Sequence, residues 1–376
     1  MYILKSFYFA SVVVIISAAC KGQTFSYKTV PFDYIPRLDQ QYTTDVKHLQ
    51  DSAADLTNFL PKNYVLDGTV DYTNELQKGI NLNKVVLMPN FPIMTSGIYL
   101  NTGSTVIFRD SSSLLMVASN QVWYQVIGIN NVHDVKVYFP RIKGDRIRHI
   151  GTKGEWGFGI AITNSKNVRI IQPIISNCWG DGIYINDLAK NKGSGNIFID
   201  GAWLDNNRRN GISIIDGSNI SIINSLISNT NGTMPSSGID IEPNNGNGEL
   251  KEISLNNITT YNNAEYGILT VLVGFVSASK KNVDIEINNC IDDGSNYGMG
   301  YYFDLPNRDF INANGEINII NPIWKNNRSS GLKLPVYSSS NNILLKFKNA
   351  TIIKNGEKHA FSDRNLVKNT RKITFN

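Results

Sequence analysis

The stretch Gly182-Ile183-Tyr184-Ile185 decides the fold, because close variants of it recur through the middle of the chain. Each copy is a glycine followed by a short apolar-rich strand, and the other copies are Gly159-Ile160-Ala161-Ile162, Gly211-Ile212-Ser213-Ile214, Gly238-Ile239-Asp240-Ile241 and Gly267-Ile268-Leu269-Thr270. The successive glycines stand 23, 29, 27 and 29 residues apart. A repeat of this length is typical of a solenoid in which each copy belongs to one coil.

A second strand with period-2 alternation lies between successive copies of the repeat. Its examples are Val168-Arg169-Ile170, Ile197-Phe198-Ile199, Ile220-Ser221-Ile222, Ile253-Ser254-Leu255 and Val283-Asp284-Ile285. One such strand cannot bury its apolar face alone, whereas stacked coils form parallel sheets around a continuous apolar interior. The pattern therefore predicts an all-β chain with two or more short strands in each coil.

Asparagine recurs shortly before the glycine-led strands, at Asn177, Asn206, Asn229, Asn262, Asn289 and Asn326. Asparagine tolerates a left-handed backbone, and its amide can bond to the same amide one coil away. We therefore expect an asparagine ladder inside the solenoid. Cys178 and Cys290 lie beside ladder positions about four coils apart, at about 4.8 Å per coil, so we predict two free thiols.

The first residues indicate export. The apolar run from Phe7 to Ala19 is too short for a bilayer, which needs about 20 apolar residues, and it is typical of a signal peptide over residues 1–22. Its end suits both lipoprotein processing at Cys20 and ordinary cleavage near Gly22. We expect a periplasmic, outer-membrane lipoprotein or secreted protein that has no transmembrane span after processing and in which a lipid anchor is one alternative.

Two segments follow the signal peptide. Residues 23–62 carry a predicted helix with an apolar stripe that would pack against the solenoid cap, at Val46, Leu49, Leu56 and Leu60. Residues 63–376 form the solenoid, and Leu76 and Ile80 predict a short helix that plugs its N-terminal end. With 41% hydrophobic and 18% charged residues, the chain can bury a large core. Its formal charge of +5 is too small to favour a nucleic acid.

The segment from Asp67-Gly68-Thr69 through Leu76-Gln77 to Ile80, followed by the repeat, resembles the pectate-lyase-like right-handed β-helix superfamily over residues 63–360. The resemblance implies a right-handed parallel β-helix and a polysaccharide or oligosaccharide as partner. Further motifs are similar to uncharacterised bacterial right-handed β-helix repeat proteins: Gly144-Asp145-Arg146 with His149, Gly154-Glu155-Trp156-Gly157, Trp179-Gly180-Asp181-Gly182, Asn207-Arg208-Arg209-Asn210-Gly211 and Gly238-Ile239-Asp240-Ile241-Glu242-Pro243.

The similarity to polygalacturonases of this superfamily is distant. Asp181 stands where their first active-site coil has an aspartate before glycine. Where they have an aspartate pair, this chain has Arg209 and Asn210, and Ser237 replaces their histidine. Their final Arg-Ile-Lys becomes Leu269-Thr270-Val271. These replacements argue against the polygalacturonase mechanism and against galacturonate as the substrate.

Alternate residues of each repeat strand point away from the interior, because side chains switch faces with period 2. Asp240 and Glu242 therefore lie on one outward face, with α-carbons about 6.6 Å apart. Such a pair can keep one carboxyl protonated as a general acid and the other ionised as base or nucleophile. We predict that both are catalytic, with Asp181 in a third role. A solvated surface pair or a calcium site is the alternative.

Groups of several kinds surround these carboxylates and are predicted to bind substrate. Arg208 and Arg209 suit an anionic sugar, or ion pairs with the carboxylates themselves. Trp156 and Trp179 suit stacking on sugar faces, or packing under a loop. The other predicted substrate-binding residues are Tyr184, Glu155, His149 and Asn186. No zinc spacing, phosphate loop or serine-histidine signature occurs in the sequence.

Three functions fit such a groove. A glycoside hydrolase is favoured, because acidic groups dominate the groove. A lyase that eliminates across a uronic acid would need Arg208 or Arg209 as base and calcium to hold the uronate. A non-catalytic glycan-binding or surface protein is the third, and only the lyase calls for a cofactor.

Overall fold

The computed structural model describes residues 25–186, 193–244, 246, 248–275, 281–303, 313–335, 342–360 and 372–375. They form a solenoid of parallel strands arranged in two sheets. Among the described strands, the single antiparallel pair joins Thr351–Lys354 to Glu357–Ala360. The predicted all-β parallel solenoid is confirmed. The predicted signal segment, residues 1–22 with Cys20, lies outside the described residues.

One sheet takes one strand from each coil and carries the glycine-led repeat. Its nine strands are Ile98–Tyr99, Trp123–Asn130, Trp156–Thr163, Ile183–Asn186, Asn210–Ile214, Ser237–Ile241, Tyr266–Val271, Tyr297–Tyr302 and Ser330–Lys333. The strands that contain Gly298 and Gly331 continue the repeat beyond the five predicted copies.

The other sheet has twenty-one strands in two stacks, which the long strands Gly217–Ser228 and Leu250–Tyr261 join. Besides these two, the first stack contains Ala54–Asp55, Val85–Leu87, Thr105–Ile107, His133–Tyr138, Lys166–Ile171, Gly195–Asp200, Lys281–Asn288, Ala313–Ile320, Asn342–Lys348 and Ile373–Phe375. The second contains Pro92–Thr95, Ser113–Met116, Arg141–Lys143, Ile174–Ser176, Trp203–Asp205, Ile291–Asp293, Ile323–Lys325, Thr351–Lys354 and Glu357–Ala360.

The close approach of successive coils explains the glycine of the repeat. A Cβ atom at Gly211 would lie 2.6 Å from the carbonyl oxygen of Gly238, and one at Gly238 would lie 2.6 Å from that of Gly267. Side chains do not tolerate such overlap in a packed interior. Glycine at this position therefore lets each strand stack on the next, while the isoleucines that follow it fill the core.

The six asparagines predicted to form a ladder all adopt the left-handed conformation, with φ between 49° and 56°. Asn206 Nδ2 donates to Asn177 Oδ1 at 2.7 Å, and Asn262 Nδ2 donates to Asn229 Oδ1 at 2.8 Å. The hydrogen bonds between coils are thus confirmed. The expectation of a buried ladder holds for only part of it: Asn229 and Asn262 are buried, Asn177 and Asn206 are half-buried, and Asn289 and Asn326 are exposed.

The inner side of each turn is lined by the next residue along the chain. Asn207 Oδ1 accepts a hydrogen bond from Cys178 N, and Asn263 Oδ1 accepts one from Thr230 N, each at 3.0 Å. All four residues are buried. A left-handed residue turns the chain so that its successor faces inward, and this shifts the interior positions by one. Cys178 and Cys290 are buried free thiols, as predicted.

The N-terminal segment forms three separate helical pieces instead of one continuous helix. Helix α1 (Gln40–Gln50) follows a 3-10 turn at Phe32–Tyr34, and a second 3-10 helix covers Leu56–Phe59. The chain between α1 and the second 3-10 helix extends at Ala54–Asp55 to pair with Val85–Leu87. The predicted single apolar stripe is therefore wrong, because strand pairing interrupts the helix.

The two halves of that stripe pack in different places. Val46 of α1 lies on the outside of the solenoid against Ile107, Tyr138 and Ile171. Leu56 and Leu60 instead join the main core with helix α2 (Thr73–Leu82), whose buried Leu76 and Ile80 close the N-terminal end as predicted. No helix in the described ranges is both long and apolar enough to cross a membrane.

Candidate active site

Strand register aligns one column of side chains along the nine-stranded sheet. Ala161 pairs with Tyr184, Tyr184 with Ser213, Ser213 with Asp240, and Asp240 with Leu269. This confirms that the coils align by their repeat glycines. Because the alternating isoleucines fill the core, the column faces away from the interior.

The column is covered, whereas an open groove was expected. Asp181 and Asp240 are 0% exposed, and Tyr184 and Asn186 are each 4% exposed. The Tyr184 ring stacks on Phe158 with centroids 4.3 Å apart, and Asn186 Nδ2 donates to the Tyr184 hydroxyl at 3.0 Å. Outward side chains of neighbouring coils pack on each other and exclude solvent. The expected surface contact of Tyr184 and Asn186 with a sugar is therefore contradicted.

Three charged side chains of the predicted site reach the surface. The side chains of Glu155 and Arg209 are 26% and 12% exposed, and Glu242 is half-buried. Arg209 Nε lies 3.8 Å from Glu155 Oε2. These three residues mark the place where a ligand can touch the acidic cluster.

Beneath them, Asp181 is held by a dense set of donors. Its Oδ2 accepts hydrogen bonds from Arg209 Nη1 at 3.0 Å and Ser213 Oγ at 2.9 Å, and its Oδ1 accepts from Asn210 N at 3.0 Å. Asn210 Nδ2 then donates to Asp240 Oδ2 at 3.0 Å. Asn210 thus joins two carboxylates from different coils, and Ser213 bonds to Asp181 and to Asn210. The sequence signal for both residues was their place in the columns that the repeat aligns.

The carboxyl groups of Asp240 and Glu242 lie close enough for each to shift the pKa of the other. Burial, and then the facing Glu242 carboxylate, raise the pKa of Asp240 well above its usual range. Burial also raises the pKa of Glu242, while Arg209 opposes that rise. Two close carboxyls in a low dielectric cannot both ionise easily. The pair therefore keeps a proton to higher pH than two separate carboxyls would, and the pKa of Asp240 is the one raised well above its usual range.

Arg209 is the central cation of the cluster. Burial lowers its pKa, but Asp181, Asp240, Glu242 and Glu155 together outweigh burial and raise it. Its guanidinium thus stays charged among four carboxyl groups. Of the two roles predicted for Arg209, binding of an anionic sugar and ion pairing with the carboxylates, the structure contains the ion pair.

Arg208 and Trp179 belong to a neighbouring stack. The Arg208 guanidinium carbon lies 3.8 Å from the Trp179 ring centroid, and the opposite neighbour of that indole is the His149 ring at 3.9 Å. Arg208 Nη1 also donates to the carbonyl oxygens of Gly154 and Trp179, each at 3.2 Å. The predicted sugar platform at Trp179 is therefore contradicted, since both neighbours pack against its ring.

His149 is fixed by a buried aspartate. Its Nδ1 lies 2.9 Å from Asp145 Oδ2, and Tyr124 Oη donates to Asp145 Oδ1 at 2.5 Å. The His149 side chain is 1% exposed. Burial and the bond to Asp145 raise the pKa of Tyr124. This arrangement holds the loop after Gly144 and puts His149 out of reach of a surface ligand.

Trp156 lies at the other end of the cluster with an aromatic neighbour that sequence reasoning missed. Trp123 pairs with Trp156 in register, and their ring centroids are 5.9 Å apart. Trp123 also meets Phe158 and Tyr184 edge-on, at 5.2 and 5.8 Å. Trp123 is 41% exposed and Trp156 is half-buried. The strand that contains Trp123 does not begin with the glycine-led repeat. The sequence pattern therefore did not align Trp123 with Trp156, and only the strand register does.

In the described part of the chain, no group of three or more histidine, cysteine, aspartate or glutamate side chains is arranged to hold a metal ion. The positive charge among these carboxylates comes from Arg209.

The family described as the right handed beta helix region matches residues 75–250. The fold of the chain is that of a right-handed parallel β-helix. Over 218 residues it is 31% identical to the uncharacterised Bacillus subtilis protein YclG, an alignment that covers 53% of this chain and 36% of YclG. The chain thus spans about a third of that relative's length.

Several solved β-helix structures share the fold at 12% sequence identity. The surface adhesin PfbA of Streptococcus pneumoniae matches 81% of this chain and 89% of its own, with a TM-score of 0.54. Polygalacturonase from Erwinia carotovora matches 84% and 98%, with a TM-score of 0.55. The tailspike of Escherichia coli bacteriophage HK620, solved with a pentasaccharide, matches 82% and 59%, with a TM-score of 0.59. At this identity, the likeness shows the fold alone.

Proposed function

We propose that this β-helix protein hydrolyses a glycosidic bond of a polysaccharide that lies along the nine-stranded sheet. The observation that carries the proposal is the Asp240–Glu242 pair, in which an enclosed carboxyl with a raised pKa lies beside a carboxyl that reaches the surface. General acid catalysis at neutral pH requires such a raised pKa. The polygalacturonase and the tailspike among the structural neighbours support a polysaccharide as substrate.

Glu242 is the member of the pair that contacts the substrate, because Asp240 is enclosed. Asp240 passes the one proton of the pair to Glu242, which gives it to the oxygen of the leaving sugar, so that both carboxyls are then ionised beside Arg209. Glu155 is the second exposed carboxylate beside Arg209, and it takes a proton from the attacking water. Asp181 positions Arg209 and Asn210 without touching the sugar.

A non-catalytic glycan-binding protein is the second candidate. The observation that favours it is the enclosure of Asp181 and Asp240, which leaves fewer groups to act directly on a bond. The lyase has less support, because both of its candidate bases are engaged: Arg208 with backbone carbonyls and Arg209 with Asp181.

The products of digestion distinguish these functions. The protein is incubated with neutral and acidic polysaccharides, and new reducing ends are measured together with the ultraviolet absorbance of unsaturated uronates. We expect reducing ends without that absorbance. Absorbance that a calcium chelator abolishes would support the lyase instead, and retention without any product would support the binding protein.

Substitution of the pair tests the assigned roles. Glu242→Gln and Asp240→Asn should each lower turnover on the order of 10²–10⁴-fold, the usual contribution of general acid–base catalysis. Glu316→Gln is the matched control, because Glu316 is an exposed carboxylate that pairs with Lys346 on the other sheet. Full turnover in both carboxamide variants would remove the pair from catalysis.

The proposed site of action is outside the cytoplasm. Two observations support this location. One is the apolar run from Phe7 to Ala19, and the other is the structural similarity to PfbA, which is a surface adhesin. Cell fractionation tests export, and incorporation of labelled palmitate that Cys20→Ser abolishes would identify the lipid-anchored form.

A further inference from the structure

Beyond the acidic cluster, the nine-stranded sheet carries a group of tyrosines and one lysine near its C-terminal end. Tyr266 pairs with Tyr297 in register, and their rings stack with centroids 5.3 Å apart. The hydroxyls of Tyr266 and Tyr302 are 2.5 Å apart. Lys333 belongs to the last strand of the sheet. We call Tyr266, Tyr297, Tyr302 and Lys333 the tyrosine-lysine patch.

The ammonium of Lys333 is surrounded by aromatic rings. Its Nζ lies 4.8 Å from the ring centroid of Tyr302, 5.0 Å from that of Tyr297 and 5.9 Å from that of Tyr266. It also lies 3.4 Å from the Tyr266 hydroxyl. Within the described residues, none of the ion pairs includes Lys333. The rings hold the charge by cation–π attraction and leave it without an anionic partner there.

Register places this patch on the same columns as the acidic pair. Asp240 pairs with Leu269, Leu269 with Gly300, and Gly300 with Lys333. Three strand steps at about 4.8 Å separate Asp240 from Lys333, so their α-carbons are about 14 Å apart along the solenoid axis. A linear glycan that lies along the sheet can span this distance.

Gly300 opens the space in which the patch forms. A Cβ atom at Gly300 would lie 2.5 Å from the Tyr266 ring, so only a glycine leaves that ring room over the column. Tyr266 is therefore buried at the base, while Tyr297, Tyr302 and Lys333 are half-buried around it. The result is an aromatic floor with one cation at its edge.

We infer that the tyrosine-lysine patch is a binding subsite for an acidic sugar unit, about three coils from the bond that is cleaved. The inference rests on the proposed function, since it takes the same glycan to run along the same sheet. A tyrosine face offers apolar contact to a sugar ring, and the lysine ammonium offers a charge-assisted hydrogen bond to a uronate or sulfate group. Sites of this kind combine aromatic surface with a few placed polar groups.

The test is gel retardation of the mature protein by seven polymers. Alginate, hyaluronan, polygalacturonate and chondroitin sulfate are acidic, and xylan, glucomannan and dextran are neutral. Lys333→Gln should weaken binding of the retarding acidic polymers about tenfold, the effect of one charge-assisted hydrogen bond, and leave any neutral binding unchanged. Lys333→Arg should keep most of the affinity, since the charge remains.

Lys325→Gln is the matched control, because Lys325 also lies over a tyrosine, Tyr34, but on the other sheet. It should bind like the unsubstituted protein. Retardation that Lys333→Gln leaves unchanged, or binding restricted to neutral polymers, would overturn this inference while the proposed hydrolysis stands. A protein that none of the seven polymers retards would overturn the inference and the proposed function together.

Discussion

Arg209 and Asp181 form an ion pair that the fold encloses: Arg209 Nη1 lies 3.0 Å from Asp181 Oδ2, and the aspartate side chain is 0% exposed. The two residues come from successive coils, so the pair ties one coil to the next at the base of the acidic cluster. The aspartate has no access to water and only 12% of the arginine side chain is exposed, so each charge depends on the other.

Removal of the Arg209 charge should therefore lower the free energy of unfolding far more than removal of a surface charge. Arg209→Gln leaves four carboxyl groups without their central cation, and we expect a loss of about 3–5 kcal/mol in the free energy of unfolding. Lys346→Gln, which breaks the exposed pair with Glu316, should cost about 1 kcal/mol or less. Thermal melting of both variants measures the difference, and equal losses would contradict the enclosure of Arg209.

Asp292 should make the stability of the fold depend on pH. Burial raises its pKa to about 7, although Ser295, Thr260 and Asn327 donate hydrogen bonds to it and oppose the rise. The folded state thus holds a proton that the unfolded state has already lost above its ordinary pKa of 3.8. The contribution of Asp292 is present below that value and is lost as pH rises to about 7.

The size of the effect is about 1.4 kcal/mol for each unit of pKa difference. Asp292→Asn removes the titrating group and keeps an acceptor for Thr260 and Ser295. Denaturant unfolding at pH 5 and pH 8 should show the unsubstituted protein losing more stability than this variant between the two values, and parallel losses would be evidence against a buried, protonated Asp292.

The repeat glycines should not tolerate even a methyl group. In Gly211→Ala, the new Cβ would overlap the Ile227 side chain and lie 2.6 Å from the Gly238 carbonyl oxygen. Overpacking of this kind typically costs about 1–3 kcal/mol. Gly151→Ala is the control, because its Cβ would meet nothing closer than 3.4 Å. The melting temperature should fall for Gly211→Ala and stay the same for Gly151→Ala. An unchanged melting temperature for Gly211→Ala would show that neighbouring coils can move apart to make room for the methyl group.

The buried part of the asparagine ladder should matter more than the exposed part. Asn262 Nδ2 donates to Asn229 Oδ1 and to the carbonyl oxygen of Ser26 at 2.9 Å, so the N-terminal segment covers it. Asn262→Leu should leave the Ser26 carbonyl oxygen without this donor and Asn229 Oδ1 with Lys28 N alone, at a cost on the order of 1–3 kcal/mol in the free energy of unfolding. Asn289→Leu, at an exposed ladder position, should cost less in the same melting experiment. Equal effects would argue against the covering role of the N-terminal segment.

Much of the architecture follows from the sequence alone. The glycine-led repeat predicted the solenoid and the column that aligns Tyr184, Ser213 and Asp240, because a short period and side-chain alternation are local properties that every coil repeats. The two free cysteines followed from the same spacing. The alternation of side chains along a strand predicted that Asp240 and Glu242 share one face, because it depends on a single strand and on no contact between coils.

Burial of the site was decided by tertiary structure. An outward position in a strand does not reveal what packs over it, and for Asp181 and Asp240 the cover comes from side chains of neighbouring coils. The same holds for Trp179, whose ring is enclosed by His149 and Arg208 from other coils. Lys333 and its tyrosines are far apart in sequence and meet only because the coils stack in register.

The sequence by itself therefore determined which side chains share a column, since the repeat fixes direction and spacing. Tertiary structure decided which of them are charged, enclosed or exposed, since those properties depend on the dielectric and the neighbours that other coils supply. Asp240 and Glu242 stand two residues apart on one strand, yet one is enclosed and the other reaches the surface. That difference arises from the packing around them and is absent from the local pattern.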